Sequence, residues 1–372
     1  MRITITYRSL RLLATVLVLT LAYGRAKADG ACDFSHSAPD EKLYQLHTDG
    51  SIFVKNDKTC TESACFGGWF LLDNNRATVA IAGYCELYQM HTDGSIYHYT
   101  GKGTAQDQCA IGEFCGNWQQ LDQNQQTKAI AVGDAYFTID APPFLYQLHS
   151  DGSIFRKNDN PCHEAACFGG WDQLDANPST VAIVAGFNGL YQLHKDGNIY
   201  RWDGKTICDA KGCVGWALLD QNPATVAIAA GHGFYQRHTD GSIFRYIGAG
   251  ENCVAAPCPN WVLVGQDSTT SVIKAGFSGF YRLRQDGKIL QKSQQSCSGT
   301  VCVDDWALLD QHPNTKAITA GRNLYQMRSD GSIFRFNGTP CGSTPGCDAA
   351  WDQLDANPAT TGIVVNGTLS LR

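Results

Sequence analysis

Charge is scarce in this chain of 372 residues: Asp, Glu, Lys and Arg make up 17% of it, and 29 basic residues against 35 acidic ones leave a net charge of −6. There is no basic block, so the electrostatic footprint of a DNA- or RNA-binding protein is missing and nucleic acid is not an expected partner. Reaction signatures are missing as well. The chain has no Gly-x-Ser-x-Gly, no His-Glu-x-x-His, no phosphate loop and no dinucleotide fingerprint, which argues against the common hydrolase, kinase and dehydrogenase routes and implies no cofactor. Long apolar runs are absent apart from one, Leu12 to Leu21. That run is too short for a comfortable membrane span, which needs roughly 20 residues. No helical period is found anywhere.

The single apolar run follows Arg2, Arg8 and Arg11 and precedes Ala26-Lys27-Ala28, the small-x-small pattern of a signal-peptide cleavage site. Residues 1–28 therefore read as a signal peptide and 29–42 as an N-terminal tail. The mature protein is expected to be secreted or lumenal, with no membrane span. The sequons at Asn337 and Asn366 fit that route.

What is abundant is repetition. Leu43-Tyr44-Gln45-Leu46-His47-Thr48-Asp49-Gly50-Ser51-Ile52-Phe53 recurs with its tyrosine at 88, 146, 191, 235, 281 and 325. Each copy carries one tryptophan in register: Trp69, Trp118, Trp171, Trp216, Trp261, Trp306 and Trp351, with Trp202 alone outside it. Within a copy, Leu190–His194 and Ile199–Trp202 alternate around the Asp196-Gly197 turn, as a β-hairpin does. A third strand surrounds Trp216 to Leu219, and Asp220-Gln221-Asn222-Pro223 stops it with a turn. A fourth, Thr225 to Ala230, is built of small and β-branched residues. Four antiparallel strands in about 45 residues make the blade of a β-propeller. The first copy lacks the small-residue strand and the chain supplies an extra one, Thr361 to Val365. Residues 43–372 are therefore expected to form a single all-β domain, a ring of seven blades whose C-terminal strand closes the first; a linear array of repeats would leave both ends ragged.

Fourteen of the 16 cysteines fall in close pairs: Cys60 with Cys65, Cys109 with Cys115, Cys162 with Cys167, Cys208 with Cys213, Cys253 with Cys258, Cys297 with Cys302, and Cys341 with Cys347. Each pair can close the loop between the third and fourth strands of its own blade, counted outward from the axis. Such a short loop gains only about 2 kcal/mol from a bridge, so the bridges are expected to stiffen loops more than to hold the ring. Cys32 and Cys85 are left to pair with each other. Two thiols per blade do not provide the four convergent ligands of a metal site, and the Asp73-Asn74-Asn75 turns lack the alternating carboxylates of a calcium loop; no metal is expected.

Chain direction sorts the loops onto two faces. On one, His47, His91, His149, His194 and His238 precede the Asp-Gly turns, with Arg284 and Arg328 in the last two copies. These are either packing residues or several equivalent weak binding sites. On the other face, Tyr84, Asp134, Phe187, His232, Phe277 and Arg322 follow the innermost strands at what reads as one matched position. There they offer a composite pocket at the channel mouth, unless the loops simply drift. The insertion from Asp134 to Phe144, with Tyr136 and Phe137, adds an aromatic flap on one side. Candidate acid-base groups are His232, Asp134 and Arg322; candidate pocket walls are Tyr84, Phe187, Phe277, Tyr136, Phe137 and Phe144.

Leu-Tyr-Gln-Leu-His-x-Asp-Gly-Ser-Ile-Phe followed by Gly-Trp-x-x-Leu-Asp-x-Asn-Pro resembles the tectonin-type propeller repeats of fungal and bacterial proteins, over nearly the whole mature chain. That resemblance implies the seven-bladed fold and, for many members, carbohydrate binding by a multivalent lectin. With a signal peptide, a bridge in every blade and one asymmetric face, the chain also resembles the fungal hetero-Diels–Alderases of tropolone sesquiterpenoid biosynthesis. This second resemblance implies small apolar substrates, a tropolone quinone methide and a humulene-type terpene, joined without a cofactor. It carries over no catalytic residues.

Overall fold

A computed structural model describes residues 41–55, 67–84, 86–103, 107–109, 115–133, 144–158, 170–186, 189–210, 212–248, 252–254, 258–292, 305–338 and 350–366. Within them, twenty-eight strands form seven four-stranded antiparallel sheets. Blade 5 shows the pattern: Thr225–Ala230 is innermost, then Phe234–His238, Ser242–Tyr246 and, outermost, Trp261–Gln266. Blade 1 is composite. Its innermost strand is Thr360–Asn366, laid beside Lys42–His47 with Lys42 opposite Asn366 and His47 opposite Thr360. The expected closure of the ring is thus present, and Lys42, expected in the tail, belongs to the sheet.

The repeated motif folds this way because each letter has a place. The isoleucine after each Asp-Gly turn is the centre of its blade: Ile52, Ile96, Ile154, Ile199, Ile243, Ile289 and Ile333 are all 0% exposed. The turn before it needs glycine. At Gly241 the backbone has φ of +80°, and an added Cβ would stand 2.1 Å from the Asp267 carbonyl oxygen of the adjoining turn. Asp240 completes the turn by accepting from the Ser242 amide at 2.8 Å.

Neighbouring blades are joined by a device that recurs seven times. Every outermost strand carries a β-bulge that skips one apolar residue in the pairing register: Leu72, Leu121, Leu174, Leu219, Val264, Leu309 and Leu354. The carbonyl oxygen of that residue is freed from the ladder. It accepts the indole N–H of the in-register tryptophan of the next blade, at 2.8–3.3 Å. The last of these bonds, Trp69 to Leu354, ties blade 1 to blade 7 at 3.1 Å. Each is worth about 1 kcal/mol net, and the indole, half-buried in six blades and buried at Trp351, adds apolar contact across the seam.

Three bridges lie among the described residues, Cys109–Cys115, Cys208–Cys213 and Cys253–Cys258; the other cysteines lie outside them. The bridged loops also touch the neighbouring blade. The Cys109, Cys208 and Cys253 amides donate to the carbonyl oxygens of Leu71, Gln173 and Leu218 in the outermost strand of the preceding blade, at 2.9, 2.8 and 2.7 Å. Each loop therefore covers part of an edge that would otherwise invite pairing with another chain.

Candidate functional site

The seven innermost strands converge on the axis, and the residues that let them do so are small. At one level stand Gly83, Val132, Ala185, Ala230, Ala275, Ala320 and Val365, which together line a cavity of about 160 Å³. One residue further, five glycines form a collar: Gly133, Gly186, Gly231, Gly276 and Gly321. Each sits against the neighbouring blade so tightly that a Cβ would clash. At Gly231 it would lie 2.5 Å from the Ala275 carbonyl oxygen, and at Gly276 2.7 Å from the Ala320 Cβ. The Ala-Gly and Val-Gly pairs at the ends of five inner strands were the signal for this collar, and its meaning appears only once the strands are set side by side.

The collar also corrects a register. Gly83 pairs with Leu87 as Ala230 pairs with Phe234. Tyr84 therefore matches Gly231, one position before His232, and fills a place where five other blades have glycine. Cys85 takes the position equivalent to His232 and lies outside the described residues. The mouth of the cavity is bordered by Tyr84, His232 and Phe277, and the rings of His232 and Phe277 meet edge to face with centroids 5.8 Å apart.

The remaining expected site residues divide three ways. Asp134, Tyr136, Phe137 and Phe187 lie outside the described residues. Phe144 turns into the wall between blades 3 and 4, under the Arg156 guanidinium and beside Tyr146. Arg322 follows the collar but does not line the cavity; its amide is held by the Glu41 carboxylate. Glu41, a residue that sequence patterning did not single out, also accepts from the Asn323 amide, the Asn323 side chain at 3.0 Å and the Tyr325 hydroxyl at 2.9 Å. It fastens the start of blade 1 to blade 7 beside Gly321. Burial, reinforced by this carboxylate, pushes the Tyr325 phenol far above its usual value.

On the opposite face the repeated histidines are packing groups. All five are buried and lie against the aromatic ring six residues on, with centroids 4.5–4.6 Å apart: His47 with Phe53, His91 with Tyr97, His149 with Phe155, His194 with Tyr200, His238 with Phe244. Burial holds each of them below the ordinary histidine value. Arg328 takes the same place over Phe334 at 3.9 Å, while Arg284, facing no aromatic ring there, turns to Asp267 and Thr269 at 3.2 and 2.7 Å.

Beneath the histidines lies a polar layer that sequence reading passed over. The glutamine of Tyr-Gln accepts from the first threonine of the innermost strand in six blades, at 2.6–2.9 Å. In blades 4 and 5 its amide also reaches back to Asp175 and Asp220 of the preceding blade, at 2.8 and 2.7 Å. Burial pushes the carboxyls of Asp73, Asp122, Asp220, Asp310 and Asp355 upward. Sites this enclosed serve folding and present nothing to a ligand.

Among the described residues no group of His, Cys, Asp or Glu is arranged to hold a metal, and no helix is long and apolar enough to cross a membrane. The architecture defines the class: a seven-bladed, four-stranded β-propeller. Comparison with protein-family profiles and with curated proteins yields no match. Solved structures do. A chain in the structure of Kap60 bound to yeast RCC1 (Prp20) is 11% identical, with a TM-score of 0.50 over 96% of this chain and 90% of that one. The WD40 propeller domain of Doa1 is 13% identical, TM-score 0.47, over 84% and 88%. Human WBSCR16 is 12% identical, TM-score 0.45, over 86% and 92%. At these identities the likeness is one of fold.

Proposed function

We propose that the chain is a secretory-pathway enzyme of secondary metabolism that joins a tropolone quinone methide to a humulene-type sesquiterpene by hetero-Diels–Alder cycloaddition at the channel mouth. The observation that carries this reading is the contrast between the two faces. The repeated histidines, which a multivalent lectin would expose, are buried in packing. The axial cavity, by contrast, is bordered by three unlike side chains, Tyr84, His232 and Phe277.

Size decides how much the cavity can take. Its 160 Å³ is close to the roughly 150 Å³ that holds one benzene ring. One ring therefore occupies the cavity, and the terpene lies outside it, over Tyr84 and Phe277. Cycloaddition forms one C–C and one C–O bond from the methide C=C–C=O unit and a terpene double bond, and no proton or electron leaves. What the protein supplies is orientation, worth up to roughly 7–11 kcal/mol when two reactants are held in attacking geometry. The methide arises by loss of water from a hydroxymethyl tropolone. His232, exposed at the rim, donates a proton to the departing hydroxyl, and the tropolone ring hydroxyl releases its own proton to solvent, so that one water is lost overall.

The test is conversion of a hydroxymethyl tropolone and humulenol mixture to adduct. Wild type is expected to form it. Phe277→Ala is expected to lower the rate by about tenfold or more through lost positioning. His232→Ala should slow turnover of the hydroxymethyl precursor, yet leave the addition of a preformed methide intact. Unchanged adduct formation in both variants removes the cavity from the reaction. Glycan binding that survives both changes, with no adduct formed, favours the lectin reading.

A further inference from the structure

The glycine collar is closed to variation in blades 3 to 7. A Cβ at Gly133 or Gly186 would stand 2.8 Å from an atom of Ala185 or Ala230, and one at Gly321 would run into the Glu41 carboxylate. A side chain at any of the five would push two packed blades apart, so the bore of the ring cannot be set there. Blade 2 departs from the rule. Its collar residue is Tyr84, and the cavity wall at this level consists of Tyr84, Gly186, Gly231, Gly276 and Gly321: four bare glycines and one phenol ring.

The ring of Tyr84 is held in place. It packs, half-buried, on the apolar seam between blades 2 and 3, against the cluster of Tyr88, Leu121, Val132 and Leu145, and Val132 is itself a wall of the cavity. The turn that carries Tyr84 is clamped from behind. The Tyr84 amide donates to the Glu86 carbonyl oxygen at 3.3 Å, while the Glu86 carboxylate accepts from the Tyr88 hydroxyl and lies 3.3 Å from His98 Nε2. A fixed ring at the wall subtracts its own bulk from the chamber. That bulk is close to the benzene ring that roughly 150 Å³ accommodates, and the space left is 160 Å³. With glycine at position 84, as in the collar of blades 3 to 7, a second ring would have room.

We infer that Tyr84 is the specificity-determining residue of the axial cavity, a size filter that admits one aromatic ring and turns away a fused two-ring molecule or a bulky terpene. The inference rests on the cavity being a small-molecule site, as the proposed function has it, and not on the reaction assigned to it. It says what divides two partners of unequal size: the ring enters past Tyr84, and the larger molecule stays at the mouth with His232 and Phe277, each of which follows a collar glycine.

Phenol and 2-naphthol differ by one ring and are both neutral at pH 7, so they report size alone, and their affinities can be read by calorimetric titration. Wild type is expected to prefer phenol by about tenfold or more. Tyr84→Gly gives blade 2 the collar residue of five sibling blades and should reverse the order, because the second ring then gains apolar burial. Tyr84→Leu keeps an apolar group on the seam and should narrow the preference, which supplies the readout if glycine at this place unfolds the ring. Tyr84→Phe and Phe277→Ala, the latter outside the collar, should both keep the wild-type order. Equal affinity for the two probes in wild type, no binding of either, an order that neither Tyr84→Gly nor Tyr84→Leu alters, or a reversed order in Tyr84→Phe or Phe277→Ala overturns the inference. Adduct formation is measured separately, so a wild type that forms adduct yet binds both probes alike loses the filter and keeps the cycloaddition. A reversal in Tyr84→Gly without any adduct from wild type does the opposite.

Discussion

The five buried histidines set how the protein responds to acid. Each is held below its free value of 6.5, so the unfolded chain takes up protons first as pH falls. Their contribution is fully present above about pH 6.5 and is lost as pH drops toward the folded values. The buried aspartates act with the opposite sign. Their folded values lie above 3.8, so stability is gained as pH falls through those values toward 3.8. The thermal midpoint of a His194→Gln, His238→Gln variant should therefore fall less than that of wild type between about pH 7 and pH 5.5; an equal fall in both proteins would contradict the assignment. Sequence alone left the histidines open between packing and binding. The missing fact was a cross-strand one, that each ring lies on an aromatic six residues away.

At the scale of the element, the blade seam is the unit to perturb. Trp216→Phe keeps an aromatic ring but leaves the Leu174 carbonyl without its donor, and should cost about 1–3 kcal/mol in urea unfolding. Gly231→Ala places a methyl group 2.5 Å from the Ala275 carbonyl oxygen and should cost about 1–3 kcal/mol as overpacking. Removing the Cys208–Cys213 bridge by double serine substitution should cost about 2 kcal/mol through chain entropy. Fluorescence- or CD-monitored unfolding checks all three, and a loss near zero for Trp216→Phe would show that the seam bond adds nothing. The tryptophan of each copy was visible in the sequence, but its partner was not. The acceptor belongs to another blade and is freed by a bulge, and a bulge is a property of two paired strands that a one-dimensional pattern does not display. For the same reason the inner-strand register was misjudged at Tyr84, where a tyrosine in the place of a glycine looked like its neighbour.

For the whole molecule, seven repeats, four strands per repeat and the offset between first and last copies were enough to read the ring. Period and phase are one-dimensional quantities, and a closed ring is what they permit when the first copy lacks what the end supplies. The site was harder to see, because its floor is a set of alanines, glycines and valines with no chemical signature. Asn366 lies directly opposite Lys42, so a circular permutant that opens at Thr360 and joins Asn366 to Glu41 through two or three residues, keeping the Glu41 contacts to blade 7, should fold and bind as the parent does. Failure of that permutant while the parent folds would mean that blade 1 needs its two-part construction. The composite blade also sets a timetable. Six blades can form as the chain is made, each from consecutive residues, but the first waits for Thr360–Asn366. Until that strand is made the protein is therefore an open crescent with an unsealed flank, and its cavity comes into existence only when Thr360–Asn366 arrives.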